Sequence, residues 1–267
     1  MADFTAKDVK ALRDSTGAGM MDAKKALTET DGDFDAAIQW LRERGLGKAA
    51  ERADRESADG AVAVARVGDA ASLVELKSET DFVAKSPQFV AMIEKLAAAV
   101  AADGEGAVES HKDALDDLRV TLKENIQLGT VARLSAGPGQ VLESYLHVQN
   151  GRGVNGVIVL LDGGTSELAH DLAVHVAFGR PSVLSRDQVP AEEVESERST
   201  LEAQTRNEGK PEAAVEKIVD GKLNGWYKRV PGGVLLEQPY AKDDKLSVTQ
   251  FLGGVGVIGF AQAVIGS

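Results

Sequence analysis

At Gly60 the hydrophobic pattern of the chain changes period. Before it, apolar residues recur every three or four positions; after it, Val62 and Val64 alternate with Ala61, Ala63 and Ala65. A period near 3.6 buries one face of a helix and a period of two buries one face of a strand, so a helical head must join a body that contains sheet. Residues 4–45 read as three short helices. Thr5 caps the first, which carries Val9 and Leu12 and stops before Gly17-Ala18-Gly19. The second carries Met20, Ala23 and Leu27 and breaks at Asp31-Gly32. Asp33 caps the third, where Phe34, Ala37, Ile38 and Leu41 share a face and Gly45 supplies the stop. Residues 46–59 mix Lys48, Glu51, Arg52, Asp54, Arg55 and Glu56 with small residues, which predicts a solvated linker helix.

Beyond Gly60 the body divides in two. Gly68-Asp69 turns the first strand into Ser72-Leu73-Val74-Glu75-Leu76, a hairpin. Ser86-Pro87 opens a helix with Phe89, Met92, Ile93, Leu96 and Val100 on one face. Leu115, Leu118, Leu122 and Ile126 mark another helix, and the strand Thr130 to Leu134 closes the unit. Gly137-Pro138-Gly139 is the strongest turn signal in the chain, and a second unit follows it. That unit has a strand from Gln140 to Val148, the apolar run Val157 to Leu161, and a helix with Leu168, Leu172 and Val176. The charge-rich residues 182–228 interrupt it. They read as a protruding antiparallel helical hairpin, with Val194 and Leu201 on one arm and Val215, Ile218 and Val219 on the other. Strands at Val234-Leu235-Leu236 and Val255 to Phe260 complete it. The fold class is α+β, with antiparallel sheets.

Composition narrows the function. The formal net charge is −12 and aromatic residues make up 4% of the chain, so the basic, ring-bearing footprint of a nucleic-acid binder is missing and no direct nucleic-acid partner is expected. There is no cysteine, which removes disulfides, thiolate metal sites and cysteine nucleophiles. The first residues show no basic-then-apolar leader, and no window approaches the roughly 20 apolar residues of a membrane span. A cytoplasmic protein without membrane contact is expected.

Two stretches match G-x-G-x-x-G, at Gly151, Gly153, Gly156 and at Gly254, Gly256, Gly259. The first lies between two strands and the second leaves no room for a βαβ unit, so both read as hairpin and bulge glycines rather than a dinucleotide loop. His170 and His175 stand five apart on one helix, about 140° from each other, and cannot grip one metal. No metal and no cofactor is expected. His147 reads from periodicity as a half-buried strand residue.

The odd segment is Glu79-Thr80-Asp81-Phe82-Val83-Ala84-Lys85. An apolar Phe82-Val83 pair in a connecting loop either plugs the nearest core or is presented to a partner. Glu79 and Asp81 are a conceivable acid/base pair, but no other polar cluster converges on them, and catalysis is not expected.

Thr80-Asp81-Phe82-Val83-Ala84-Lys85 resembles the signature of the bacterial elongation factor Ts family, the guanine-nucleotide exchange factors of elongation factor Tu. Residues Leu12 to Leu27 are similar to that family's amino-terminal module. Gly209-Lys210-Pro211 and Val219-Asp220-Gly221-Lys222-Leu223 are similar to its helical region. The resemblance implies a ubiquitin-associated-like three-helix module over 1–54 and a core of two subdomains, 55–139 and 140–181 with 229–267. It implies an inserted hairpin over 182–228 whose self-association is open. It also implies a non-enzymatic activity: the Asp-Phe of the signature enters the nucleotide domain of elongation factor Tu, Phe wedging between two helices, and disturbs the magnesium and phosphate contacts. Those roles fall on Asp81 and Phe82, with Thr80 and Val83 holding the loop. By the same resemblance His147, in Ser144-Tyr145-Leu146-His147, and Leu122 are further contacts. Gly17, Ala18, Gly19, Met20 and Met21 of the head would grip a separate helix of the partner. Two departures stand out: the terminal helix of some relatives is not expected after Ser267, and Leu128-Gly129-Thr130 stands where relatives often carry arginines.

Overall fold

The computed structural model describes residues 4–266. Thr5 and Asp8 form a reciprocal capping box that starts α1 (Ala6–Thr16), and Gly17, at φ 66°, ends it in the left-handed region. After α2 (Met20–Glu29), Asp33 accepts the Ala36 amide at 2.9 Å and starts α3 (Phe34–Ala50). Val9, Leu12, Ala23, Ala26, Leu27, Ala37 and Leu41 close the head's own core. Met20 and Ile38, expected on buried stripes, are instead 47% and 36% exposed, because a module this small has too few inner positions for every apolar residue of its helices.

Gly45 does not stop α3, which runs on to Ala50. A Cβ at Gly45 would lie 2.5 Å from Cγ1 of Val120, so the glycine marks the closest approach of α3 to α6 (Lys112–Leu122). Glycine costs a helix roughly 0.5–1 kcal/mol, which tertiary packing readily overrides. The linker helix expected over 46–59 is corrected likewise: α3 takes its first residues, turns follow, and a strand begins at Asp59.

The first sheet runs β1-β2-β3, all antiparallel, from β1 (Asp59–Val67), β2 (Ala70–Ser78) and β3 (Gln127–Ser135). Between β2 and β3 come α4 (Asp81–Ala84), α5 (Pro87–Asp103) and α6. Ile126, expected on the helix with Leu122, lies past its end yet is fully buried. The second sheet runs β4-β5-β8, from β4 (Val141–Gln149), β5 (Arg152–Asp162) and β8 (Gly256–Val264). α7 (Ser166–Gly179) packs on it.

The two sheets pack on each other, which gives four layers in the order α5, first sheet, second sheet, α7. Strand alternation shows this directly. Ala61, Ala63, Val74 and Leu76 face α5, while Val62 and Leu73 meet Leu142, Ile158 and Leu160 of the second sheet. Val157, Val159 and Leu161 point the other way, to α7. Gly156 belongs to this contact, since a Cβ there would lie 2.6 Å from Cγ1 of Val62, and Gly151, at φ 79°, is the hairpin turn. The glycine pattern at 151–156 is thus a turn followed by a sheet-to-sheet contact.

The hairpin is α8 (Ala191–Asn207) and α9 (Glu212–Tyr227), sealed by Leu201, Val215, Val219, Leu223 and Tyr227, with Val194 only half-buried. Val234-Leu235-Leu236 is not a strand. Val234 bridges Val183 and a 3-10 turn follows, because Gln238 draws the chain against the end of α7 with bonds to His175 and to Gly179 O. The short β6 (Pro239–Tyr240) and β7 (Asp243–Ser247) and the helix α10 (Val248–Leu252) lead into β8. No helix among the described residues is long and apolar enough to cross a membrane.

Candidate partner-binding surface

The segment expected as a loop at 80–85 is a helical turn, α4, and the correction has a local cause. The Thr80 hydroxyl accepts the Val83 amide at 3.4 Å, an N-cap, and Ser86 followed by Pro87 starts α5 directly after it. With the turn formed, Ala84 is fully buried and Val83 leans on the α5 core, while Phe82 points outward at 83% exposure. Of the two readings of Phe82, the structure realises presentation to solvent. A largely exposed phenylalanine on a capped turn is the most conspicuous apolar feature of this surface.

The turn is held from outside by residues that the sequence reading did not single out. Glu124 accepts the Glu79 and Thr80 amides, each at 3.1 Å, and the Thr80 hydroxyl at 2.5 Å. The Asn125 amide donates to Glu79 at 2.7 Å, and the Asn125 side chain donates to the carbonyls of Ala53 and Arg55. Lys123, at φ 60°, is the left-handed cap of α6 that turns both residues toward the signature. A polar pair just past a helix cap is a weak sequence signal, because only the fold brings it to residues some 45 positions earlier.

Asp81 is ion-paired with Lys85 one turn on. The hydrogen bond from Lys85 holds the Asp81 carboxyl below the usual carboxylate range. Partial desolvation opposes this, and the charges of Lys85 and Arg152 add to it. Arg152 thus lies within electrostatic reach of Asp81. It donates to Asp59 and to the Gly60 carbonyl, which ties the β4–β5 hairpin to the start of β1.

His147 sits on that same hairpin, at the bulge between His147 and Val148, and is exposed rather than half-buried. The pairing register shifts there, although the strand stays paired with β5 as far as Gln149, and the next residue, Val148, is 57% exposed. Leu122, the last residue of α6, packs partly against the α5 core and offers only an edge. On the head, Gly17, Ala18 and Gly19 join α1 to α2, and Met21 projects at 76% exposure beside Met20. The structure therefore places Thr80, Asp81, Phe82 and Val83 on one turn, His147 on the neighbouring hairpin, and Gly17 to Met21 on a separate module.

Glu79 does not pair with Asp81 but with Arg55, at 3.5 Å, and with the Asn125 amide. Among the described residues no group of three or more His, Asp or Glu could hold a metal ion. His175 is fully buried: its Nδ1 accepts the Ala241 amide at 3.1 Å, which leaves Nε2–H to donate to Gln238 at 3.0 Å.

Residues 79–267 match the family model described as elongation factor TS. Over the whole of both chains the sequence is 45% identical to elongation factor Ts of Clavibacter sepedonicus. It is 43% identical to that of Kineococcus radiotolerans over 96% of each chain. It is 44% identical to that of Saccharopolyspora erythraea, covering all of this chain and 99% of the relative. The chain belongs to the elongation factor Ts family.

Proposed function

We propose that this protein is a guanine-nucleotide exchange factor that binds elongation factor Tu carrying GDP and speeds GDP release by inserting Asp81 and Phe82 beside the partner's magnesium and phosphate site. The single observation that supports the wedge is Phe82, 83% exposed on a turn whose cap is clamped by Glu124. An aromatic side chain held outward has no stabilising role in its own domain. Its apolar surface is available to be buried elsewhere.

Exchange is a coupling free energy. A factor that weakens GDP binding by some ratio is itself weakened by GDP by the same ratio, so its contacts must favour the distorted nucleotide site. Burying Phe82 supplies roughly 1.5–3 kcal/mol, or about 10- to 150-fold. Any larger acceleration has to come from the magnesium and phosphate contacts, the largest local charges in such a site, which the Asp81 carboxylate would disturb. Thr80 and Val83 hold the turn, His147 and Leu122 extend the contact, and Gly17 to Met21 of the head, within residues 1–54, anchor a second part of the same partner. The factor needs no cofactor and no covalent chemistry of its own; nucleotide and magnesium belong to the partner. It works in the cytoplasm, without membrane or nucleic acid.

The test is stopped-flow release of fluorescent GDP from elongation factor Tu at fixed magnesium. The native chain accelerates release, and Phe82→Ala loses about tenfold or more of that acceleration while still binding. Equal acceleration by both would remove Phe82 from the mechanism, and none by either would leave a binding partner without exchange activity.

A further inference from the structure

We propose that the cleft between the head and α6 binds a small ligand with two or more phosphate groups and an apolar ring, the chemistry of a nucleoside di- or triphosphate. The cleft has a volume of about 560 Å³, within the range of roughly 300–1,000 Å³ typical of small-molecule sites. Its walls come from the α1–α2 connection, α3 and α6. Leu41, Ile38 and Val120 form an apolar floor. Around that floor stand Arg44, Lys48, Arg52 and Lys123, the first three spaced four residues apart so that they project from one side of α3 and its continuation.

Charge is what points to the ligand. The chain has a formal net charge of −12, yet the cleft gathers five cations, with Arg42, against two carboxylates, Asp22 and Asp117. Asp117 is taken by Arg42 at 3.3 Å. Among the described residues, Arg44, Lys48, Arg52 and Lys123 have no acidic partner within ion-pair distance. Arg52 is also fixed in place: one terminal nitrogen donates to the Arg119 carbonyl at 3.3 Å, while its Nε is buried with no hydrogen-bond acceptor. Like charges brought together and a buried donor left unsatisfied are both costs that a multivalent anion removes.

A concave site with walls from two units suits a small molecule better than the face of a folded protein, which needs a flatter surface. Met20 and Met21 are not part of the lining, but Gly17, Ala18 and Gly19 are, so a ligand held here would sit directly behind the head's proposed partner-binding segment.

The test is calorimetric titration of the full chain, free of any partner, with GDP, ATP and inorganic pyrophosphate as probes, at about 50 and about 300 mM salt. The expected result is saturable one-to-one binding of the nucleotides, weaker binding of pyrophosphate, and affinity that falls as salt rises. Lys48→Gln weakens binding about threefold or more, and Lys48→Gln with Arg52→Gln at least about tenfold. Arg198→Gln, whose guanidinium pairs with Asp220 on the hairpin, leaves binding unchanged. Lys48 has no ion pair to lose, so unchanged binding by that single variant overturns the proposal without any question of folding. Absence of saturable heat from all three probes up to about 1 mM also overturns it. If no probe binds while the variants lose salt-dependent affinity for elongation factor Tu, the cations serve an acidic protein face and the proposal fails.

Discussion

Glu124 and Thr80 are joined at both carboxylate oxygens: Oε1 accepts the Thr80 hydroxyl at 2.5 Å and Oε2 its amide at 3.1 Å. The same hydroxyl accepts the Val83 amide and so caps the turn that presents Phe82. One carboxylate past the end of α6 thereby holds the cap of the turn that carries this aromatic side chain.

Glu124→Gln keeps the shape of that clamp but removes its charge. Hydrogen bonds to charged groups contribute about 1.5–3 kcal/mol when shielded, and less at this partly exposed position. A drop of a few degrees in Tm is expected, together with exchange slowed about three- to tenfold. Stopped-flow GDP release compared at saturating and limiting concentrations checks it. Exchange equal to that of the native chain would mean the turn is rigid without Glu124.

Phe82→Ala should behave in the opposite way. The side chain is almost wholly exposed, so its loss changes stability by no more than about 0.5 kcal/mol. A melting curve within about 1 °C of the native protein, alongside lost exchange, separates a functional phenylalanine from a structural one.

At Gly45 a glycine in the middle of a helix would ordinarily be improved by alanine, by roughly 0.5–1 kcal/mol. Here a Cβ meets Cγ1 of Val120 at 2.5 Å and Cγ2 at 2.9 Å, so Gly45→Ala is expected to destabilise by about 1–3 kcal/mol. Urea unfolding of Gly45→Ala, Val120→Ala and the double variant forms a cycle. The second substitution should restore part of what the first loses, and additive losses would show that the two helices do not touch there.

His175 gives stability a pH dependence with a definite sign. Burial disfavours the imidazolium and holds its pKa below 6.5, partly offset by the bond to Gln238. The group has its full benefit above the unfolded pKa of about 6.5. Stability then falls as pH drops from there toward the folded value, because the unfolded chain takes up the proton first. Urea unfolding at about pH 7.5, 6.5 and 5.5 should show a steeper loss for the native chain than for His175→Gln. Parallel losses would show that His175 titrates alike in both states.

The legible parts were those that a local pattern dictates. Val62 against Ala61 and Ala63, and Ile158 against Val157 and Val159, announce strands, and the structure adds only that both of their faces are buried. Thr5, Asp33 and Ser86 mark helix starts because a cap is chosen by the backbone amides next to it. Gly45 and Val234 depart from the local pattern for one shared reason. Each is governed by a neighbour distant in sequence, such as Val120 for Gly45 and Val183 for Val234.

By itself the amino-acid sequence determined the alternation of helix and strand, the division into head, sheets and hairpin, and a signature that resembles a single family. These depend on residue order, on caps and on the period of apolar side chains, which are local quantities. Only the tertiary structure decided which way Phe82 points, that Glu124 and Asn125 hold its turn, that Arg152 ties the hairpin bearing His147 to the start of β1, and that four cations without acidic partners line one cleft. Those are relations between residues tens of positions apart, and they come into being when burial of the four-layer core brings distant segments into contact.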